Sequence, residues 1–192
     1  MARPKKFDEA ATLQKALLVF WKKGFSGTSM ADLVAAMNIN APSLYDTYGD
    51  KQQLFLLALR NYQHAQQDWM AELAAQPNPV KEILSTLLKA LVEETLSDPD
   101  RKGCFMVNTI TELANRDDQV LKIAGENDNQ IRGILTGLIK KGQSSGEISE
   151  QKNPEVLASY LFTSIMGIRV VSAANSDKAL LNATLDFVIS NI

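Results

Sequence analysis

Few side chains in this 192-residue sequence could do covalent chemistry. There is one cysteine, Cys104, and one histidine, His64. A thiolate nucleophile needs a partner base, and His64 is the lone imidazole for the task. No Cys/His spacing resembles a zinc site, so no metal is expected. No Ser-His-Asp order and no phosphate-cradling glycine loop is present, and no cofactor is implied. Non-covalent chemistry is better represented. The stretch NINAPSLYDTYGDKQQLF (38–55) gathers Ser43, Tyr45, Thr47, Tyr48 and Lys51 behind the small residues Ala41 and Pro42. Hydroxyls and an ammonium on a short rigid helix suit hydrogen bonding to base edges and phosphates. Small residues at its start permit close approach, and Ala41 and Pro42 offer apolar contact to a thymine methyl. Asp46 departs from this pattern, because a carboxylate repels DNA unless it accepts from a cytosine amino group or pairs with a neighbour.

The elements that must carry these residues read almost entirely as helix. From Glu9 to Lys23, Ala10, Leu13, Leu17 and Phe20 recur with a period near 3.6. Lys22 and Lys23 fall in the last turn and Gly24 follows as a cap. Thr28 or Ser29 can cap a second helix, and Ser29 with Asp32 has capping-box spacing. Met30, Leu33, Val34 and Met37 mark its buried face. Asn40 can cap the third helix, where Pro42 sits in the first turn and costs no hydrogen bond. Gly49 ends it, and Asp50 caps a long fourth helix bearing Leu54, Phe55, Ala58, Tyr62, Ala65 and Trp69. Three short amphipathic helices joined by tight turns cannot bury their faces separately. Packed together, they make a trihelical unit whose last two helices have helix-turn-helix spacing.

GFSGTSMADLVAAMNINAPSLYDTYGDKQQLF resembles the DNA-binding signature of the tetracycline-repressor-like (TetR) transcriptional regulators. The matching features are Gly-Phe before Thr-Ser, then Leu-Tyr followed by Tyr-Gly-Asp-Lys and Leu-Phe. The resemblance spans roughly residues 9–56. Periodicity along the chain counts about nine helices, and the resemblance implies an all-α homodimer. A helix-turn-helix DNA-binding domain is expected over 1–50 and a connecting helix over 51–75. A ligand-binding and dimerisation domain is expected over 76–192. It implies a repressor that binds a palindromic double-stranded DNA operator and is released by a small-molecule inducer. Position by position, it assigns Thr28 to phosphate, with Ser29 beside it among the DNA-binding residues. Ala41, Pro42, Ser43 and Thr47 fall at base or near-base contacts, and Tyr45 and Lys51 at phosphate clamps. Tyr48 is mostly core, with its hydroxyl within reach of a phosphate.

Charge supports the asymmetry. Residues 1–60 hold eight Lys/Arg against five Asp/Glu, and the remainder holds twelve against seventeen. One end is therefore basic on an acidic body. After the break at QPNP (76–79), apolar periodicity defines helices from Val80, through CFMVNTITELA, from Val120 to Leu138, from Pro154, and from about Asp177. No uninterrupted run approaches the roughly 18 apolar residues of a membrane span. MARPKKFDEA has no apolar leader, so the expected location is the cytoplasm. A single cysteine fits a reducing compartment. The last two helices, 154–172 and 177–192, are too apolar all round for one neighbour, so a second subunit is expected to cover them. By resemblance, Trp69, Cys104, Phe105, Met106, Asn108, Glu112, Phe162, Met166 and Arg169 are candidate lining residues of the inducer cavity. Cys104 is read as a small packing hydrophobe. The alternative is a redox or electrophile sensor whose thiol a helix start activates. More distant alternatives are a cysteine-dependent enzyme and an interaction module that binds no DNA.

Overall fold

The computed structural model describes residues 7–174 and 177–192, and its described secondary structure consists of nine α-helices. They are α1 (Glu9–Lys23), α2 (Met30–Met37), α3 (Ala41–Tyr48), α4 (Lys51–Ala74), α5 (Val80–Ser97), α6 (Phe105–Leu113), α7 (Asp118–Ser144), α8 (Pro154–Ala174) and α9 (Lys178–Ser190). The all-helical expectation holds. Arg3, Lys5 and Lys6, which contribute to the basic end, lie outside the described residues.

Local capping sets the first four helices. Asp8 accepts from the N–H groups of Ala10 and Ala11 and starts α1, and Gly24 ends it at φ 72°. Ser29 and Asp32 form the reciprocal capping box on α2. Asn38, at φ 54° and ψ 43°, makes the left-handed turn out of α2, a conformation that asparagine tolerates better than most residues. Asn40 accepts from the Ser43 N–H and Asp50 from the Gln53 N–H, so α3 and α4 each begin on a side-chain cap. Each such cap contributes about 1 kcal/mol.

Two buried clusters divide the molecule, and their boundary runs through α4 and α7. The first joins α1–α3 and the N-terminal half of α4 to Cys104, Phe105, Met106 and Leu113 around α6, and to Val120 and Ile123 of α7. It is rich in aromatic rings. Phe55 lies edge-on to Phe20, Phe25 and Phe105 at centroid distances of 5.0, 5.1 and 5.7 Å. The second is aliphatic and joins the rest of α4 to α5, the C-terminal part of α7, α8 and α9. Between them α4 carries Gln63, Gln66 and Gln67, and Gln67 donates to Asn127 of α7 at 3.4 Å.

The buried face of α1 differs from the apolar reading. Thr12, Ala16, Leu17 and Phe20 are buried, whereas Ala10 is exposed and Leu13 only half-buried. Thr12 takes an inward position because its hydroxyl meets the Tyr48 hydroxyl. A small polar residue is thereby satisfied inside, which hydropathy alone does not signal. On α4, Ala65 is likewise exposed.

By length and composition α8 could cross a membrane, with a mean hydropathy of 1.6. Its packing is that of a core helix: Leu157, Ala158, Leu161, Ile165 and Ile168 join the aliphatic cluster, and Arg169 is buried beside them. Its remaining apolar residues include Val156, Val170 and Val171, all at least half exposed.

Candidate nucleic-acid interface and effector cleft

The third helix owes its orientation to two anchors. Leu44 is fully buried and Tyr48 nearly so. The Tyr48 hydroxyl donates to the Glu9 carbonyl at 2.9 Å and meets the Thr12 hydroxyl, pinning the end of α3 to the start of α1. Tyr48 is therefore core, and its hydroxyl is engaged internally. The opposite face presents Ala41, Pro42, Tyr45 and Asp46 to solvent, with Ser43 and Thr47 half-buried at its edges. Six residues of the candidate interface thus share one face, over a helix whose other side is sealed. Ser29 is exposed at the start of α2, where its hydroxyl donates to Asp32 at 2.7 Å. Hydrogen bonds from Lys23 first, and then from Ser29, hold the Asp32 carboxyl far below the usual carboxylate range.

Two residues assigned to phosphate sit differently. Thr28 is buried, and its hydroxyl donates to the Gly24 carbonyl at 2.6 Å. It closes the turn from α1 into α2 and lies outside the exposed face. The Lys51 ammonium donates to the carbonyls of Phe25 and Thr28 at 2.9 and 2.8 Å and lies 4.3 Å over the Phe25 ring. Its charge is held by the same turn. The turn offers the ammonium two backbone carbonyls and an aromatic face, and sequence spacing does not reveal that arrangement.

Glu112 also departs from the cavity reading. Its carboxylate accepts from the N–H groups of Phe25 and Ser26 at 3.0 and 2.8 Å. Burial raises its carboxyl pKa, but the Ser26 and Phe25 hydrogen bonds and the Lys51 charge outweigh burial and hold it below the usual value. The turn 24–28 is therefore gripped by a carboxylate on its amides and by an ammonium on its carbonyls. Further bonds join the two halves. The Trp21 indole donates to the Gly103 carbonyl at 3.2 Å, Arg60 pairs with Glu126 at 3.0 Å, and Gln52 donates to Asp117.

The candidate cavity residues separate into groups. Phe105 and Met106 are buried in the aromatic cluster with Cys104. Asn108 is exposed and donates to the Lys102 carbonyl at 2.7 Å. Phe162 and Met166 pack against the aliphatic cluster. Trp69 lines a cleft of about 310 Å³ with Gln66, Ala90, Leu91 and Glu94, between α4 and α5. Behind the cleft, the Arg169 guanidinium donates to Gln66 at 3.3 Å, to Glu94 at 3.0 Å and to the Tyr62 hydroxyl at 3.2 Å. The Tyr62 hydroxyl in turn lies 3.6 Å from the Cys104 sulfur. Burial first, and then Cys104, push the Tyr62 phenol well above its ordinary pKa, so it stays protonated. Burial disfavours the charge on Arg169, but Cys104, Tyr62 and Glu94 outweigh it and raise the guanidinium pKa. Gln66 and Glu94 were not singled out by sequence. The signal for them was Arg169 itself, because a charge within an apolar helix requires a buried partner.

The family model described as "Bacterial regulatory proteins, tetR family" matches residues 13–58. The model described as "Tetracyclin repressor-like, C-terminal domain" matches residues 83–188. The uncharacterized HTH-type transcriptional regulator YezE of Bacillus subtilis is 30% identical over 192 residues, covering 99% of this chain and 98% of the relative. The HTH-type transcriptional repressor ComR of Escherichia coli is 30% identical over 169 residues, or 88% of this chain and 80% of that protein. A cysteine-substituted TetR family transcriptional regulator CifR, complexed with 26-base-pair double-strand operator DNA, superposes with a TM-score of 0.86 at 26% identity. The match covers 98% of both chains.

Proposed function

Since the chain belongs to the tetracycline-repressor-like family of transcriptional regulators, we propose that it is a repressor that binds a palindromic operator as a homodimer and leaves it when a small molecule binds. The observation that carries this reading is the face of α3. Small and hydroxyl-bearing residues project from a helix whose other side is fully anchored. Ala41, Pro42, Ser43 and Thr47 read bases, Tyr45 and Ser29 hold phosphates, and Asp46 accepts from a cytosine amino group. Residues 1–50 form the reader, 51–75 connect, and 76–192 sense and dimerise, acting in the cytoplasm.

Dimerisation rests on α8 and α9. Val156, Tyr160, Val170, Val171, Leu180 and Phe187 leave large apolar surfaces exposed there, Phe187 at 67%. Patches of this kind mark association surfaces. Two α8–α9 pairs related by a two-fold axis bury them as a four-helix interface and set two reading helices about 34–36 Å apart, one turn of DNA. Ligand binding releases DNA by favouring a dimer with different spacing, which requires different affinity for the two states.

Cys104 is a packing residue in this reading. Its side chain is buried, and its neighbour at hydrogen-bond range is a phenol rather than a base. His64 is exposed on α4. N-ethylmaleimide is expected to leave operator binding unchanged. Loss of binding in the native chain but not in Cys104→Ser would establish the thiol-sensing alternative. The principal test is selection from random DNA: recovery of a palindrome supports the reading, and recovery of unrelated sequences defeats it.

A further inference from the structure

The cleft between α4 and α5 has an unusual charge arrangement. Arg169 is only 3% exposed and cannot lose its proton. Among the described residues, the one carboxylate in salt-bridge range is Glu94, whose side chain is 41% exposed on the cleft wall. A fixed interior cation is therefore paired with a carboxylate at the edge of solvent. The pairing is also incomplete, because the buried Arg169 Nε has no hydrogen-bond partner. Buried polar atoms are normally satisfied, and an orphan on a guanidinium is costly.

We propose that this cleft binds a small organic acid whose carboxylate takes the place of Glu94 on Arg169, while its apolar body lies against Trp69 and Leu91. The role of the acid as inducer rests on the repressor reading above; its binding does not. Charge decides the class of ligand. Glu94 can swing into water at little cost, whereas Arg169 must keep a counter-ion. A cationic ligand on Glu94 would have to sit beside Arg169 and strip it of that counter-ion. A planar guanidinium with a vacant N–H meets a carboxylate through paired hydrogen bonds. The cleft volume, about 310 Å³, lies at the small end of ligand pockets, which excludes long acyl chains lying wholly inside it.

The position also explains how binding is felt at the reader. Arg169 donates to Tyr62, whose ring packs edge-on against Trp21 and Phe105 at 5.1 and 5.6 Å. Trp21 belongs to α1, and Phe105 opens the helix that ends near Glu112. A shift of the guanidinium toward an incoming carboxylate therefore reaches two attachments of the reading unit, the Trp21–Gly103 bond and the Glu112 grip on the turn.

The test is calorimetry on the full chain with benzoate, phenylacetate and hexanoate, each against its own amide, and with benzylamine. At least one acid is expected to bind tenfold or more tightly than its amide. Glu94→Gln removes the competing carboxylate and is expected to tighten that acid by about fivefold to tenfold. Arg169→Gln is expected to abolish the preference for acid over amide. Because Arg169 is buried and its loss can disturb folding, Glu94→Gln, at a half-exposed position, is the deciding variant. Equal affinity for acid and amide overturns the proposal. So does a preference for benzylamine, unchanged or weakened acid binding in Glu94→Gln, or no binding of any acid. Operator affinity measured in the same samples separates the two readings. Acid-selective binding that leaves operator affinity unchanged upholds the carboxylate site and defeats its role as inducer. Specific operator binding without acid selectivity upholds the reader and defeats the site.

Discussion

The two ends of the molecule are built from different materials. The reading end, with the α6 residue Phe105 docked on it, is packed with Phe20, Phe25, Phe55, Trp21 and Tyr62, whose rings meet mostly edge-on. The sensing end is packed with Leu, Ile and Val, bears a polar cleft, and leaves apolar faces open on α8 and α9. Aromatic pairs add directional preference to burial. Aliphatic cores tolerate repacking at little cost when volume is kept. A rigid reader on an adaptable body is what a ligand-controlled grip requires. In the proposed repressor, ligand binding rearranges the body and the reader follows as a unit.

The largest break in this contrast is expected at Phe55, which is 1% exposed and touches three other rings. Phe55→Ala should cost about 3–5 kcal/mol, and a thermal melt followed by circular dichroism should show the reader melting before the body. A volume-conserving swap in the body, Leu161→Met, is expected to cost less than about 1.5 kcal/mol in the same melt, and the near-isosteric Phe55→Leu, which loses three edge-on ring contacts, is expected to cost more. Equal losses at the two sites would erase the distinction.

Within the reader, Tyr45→Ala and Thr47→Ala should separate positioning from recognition. Tyr45→Ala is expected to weaken binding to all sequences alike and to leave the salt dependence unchanged, because a hydroxyl releases no counterion. Thr47→Ala is expected to relax base preference by about 1–3 kcal/mol at one position. Gel shifts on the selected operator and on its single-base variants measure both.

The junction gives a smaller effect with a defined pH dependence. Because the folded-state pKa of Glu112 is depressed, its contribution is complete above the unfolded value of about 4.3 and is lost as pH falls through the lower folded value. Glu112→Gln keeps one acceptor oxygen and should cost about 1 kcal/mol near neutrality, after discounting for partial exposure. The difference from the native chain should vanish in acid. A gap that persists below pH 3 would assign the loss to packing. The smallest expected change is at the α2 cap. Asp32→Asn removes the charged partner of the capping box and should show as a small drop in melting temperature with operator preference unaltered.

Local features of the fold were legible in the sequence. Ser29, Asn40, Asp50, Gly24 and Gly49 act within a few residues of themselves, so spacing alone places the helix ends. The exposed face of α3 follows from Leu44 pointing inward, and it too is a local consequence. What spacing could not show is which distant groups share a partner. Glu112 and Ser26 are 86 residues apart, and the turn between α1 and α2 presented no apolar pattern to suggest that α6 docks on it. The same applies to Lys51 and Thr28. Each residue type fits a phosphate contact, yet backbone atoms nearby are the partners in the fold. Arg169 was recognisable as an anomaly in α8. Its partners were not, because Glu94 lies next to Glu93, which pairs with Lys178 at the surface.

The double grip on residues 24–28 makes that turn an internal reporter. Exposed turns normally exchange their amide hydrogens with water freely, because nothing in the chain covers them. Here the Phe25 and Ser26 amides are tied to a carboxylate on α6, although Ser26 itself is exposed. Their deuterium uptake is set by how often Glu112 lets go. Two backbone amides in the reader thus time the undocking of the body, in a single exchange experiment without DNA or ligand labels.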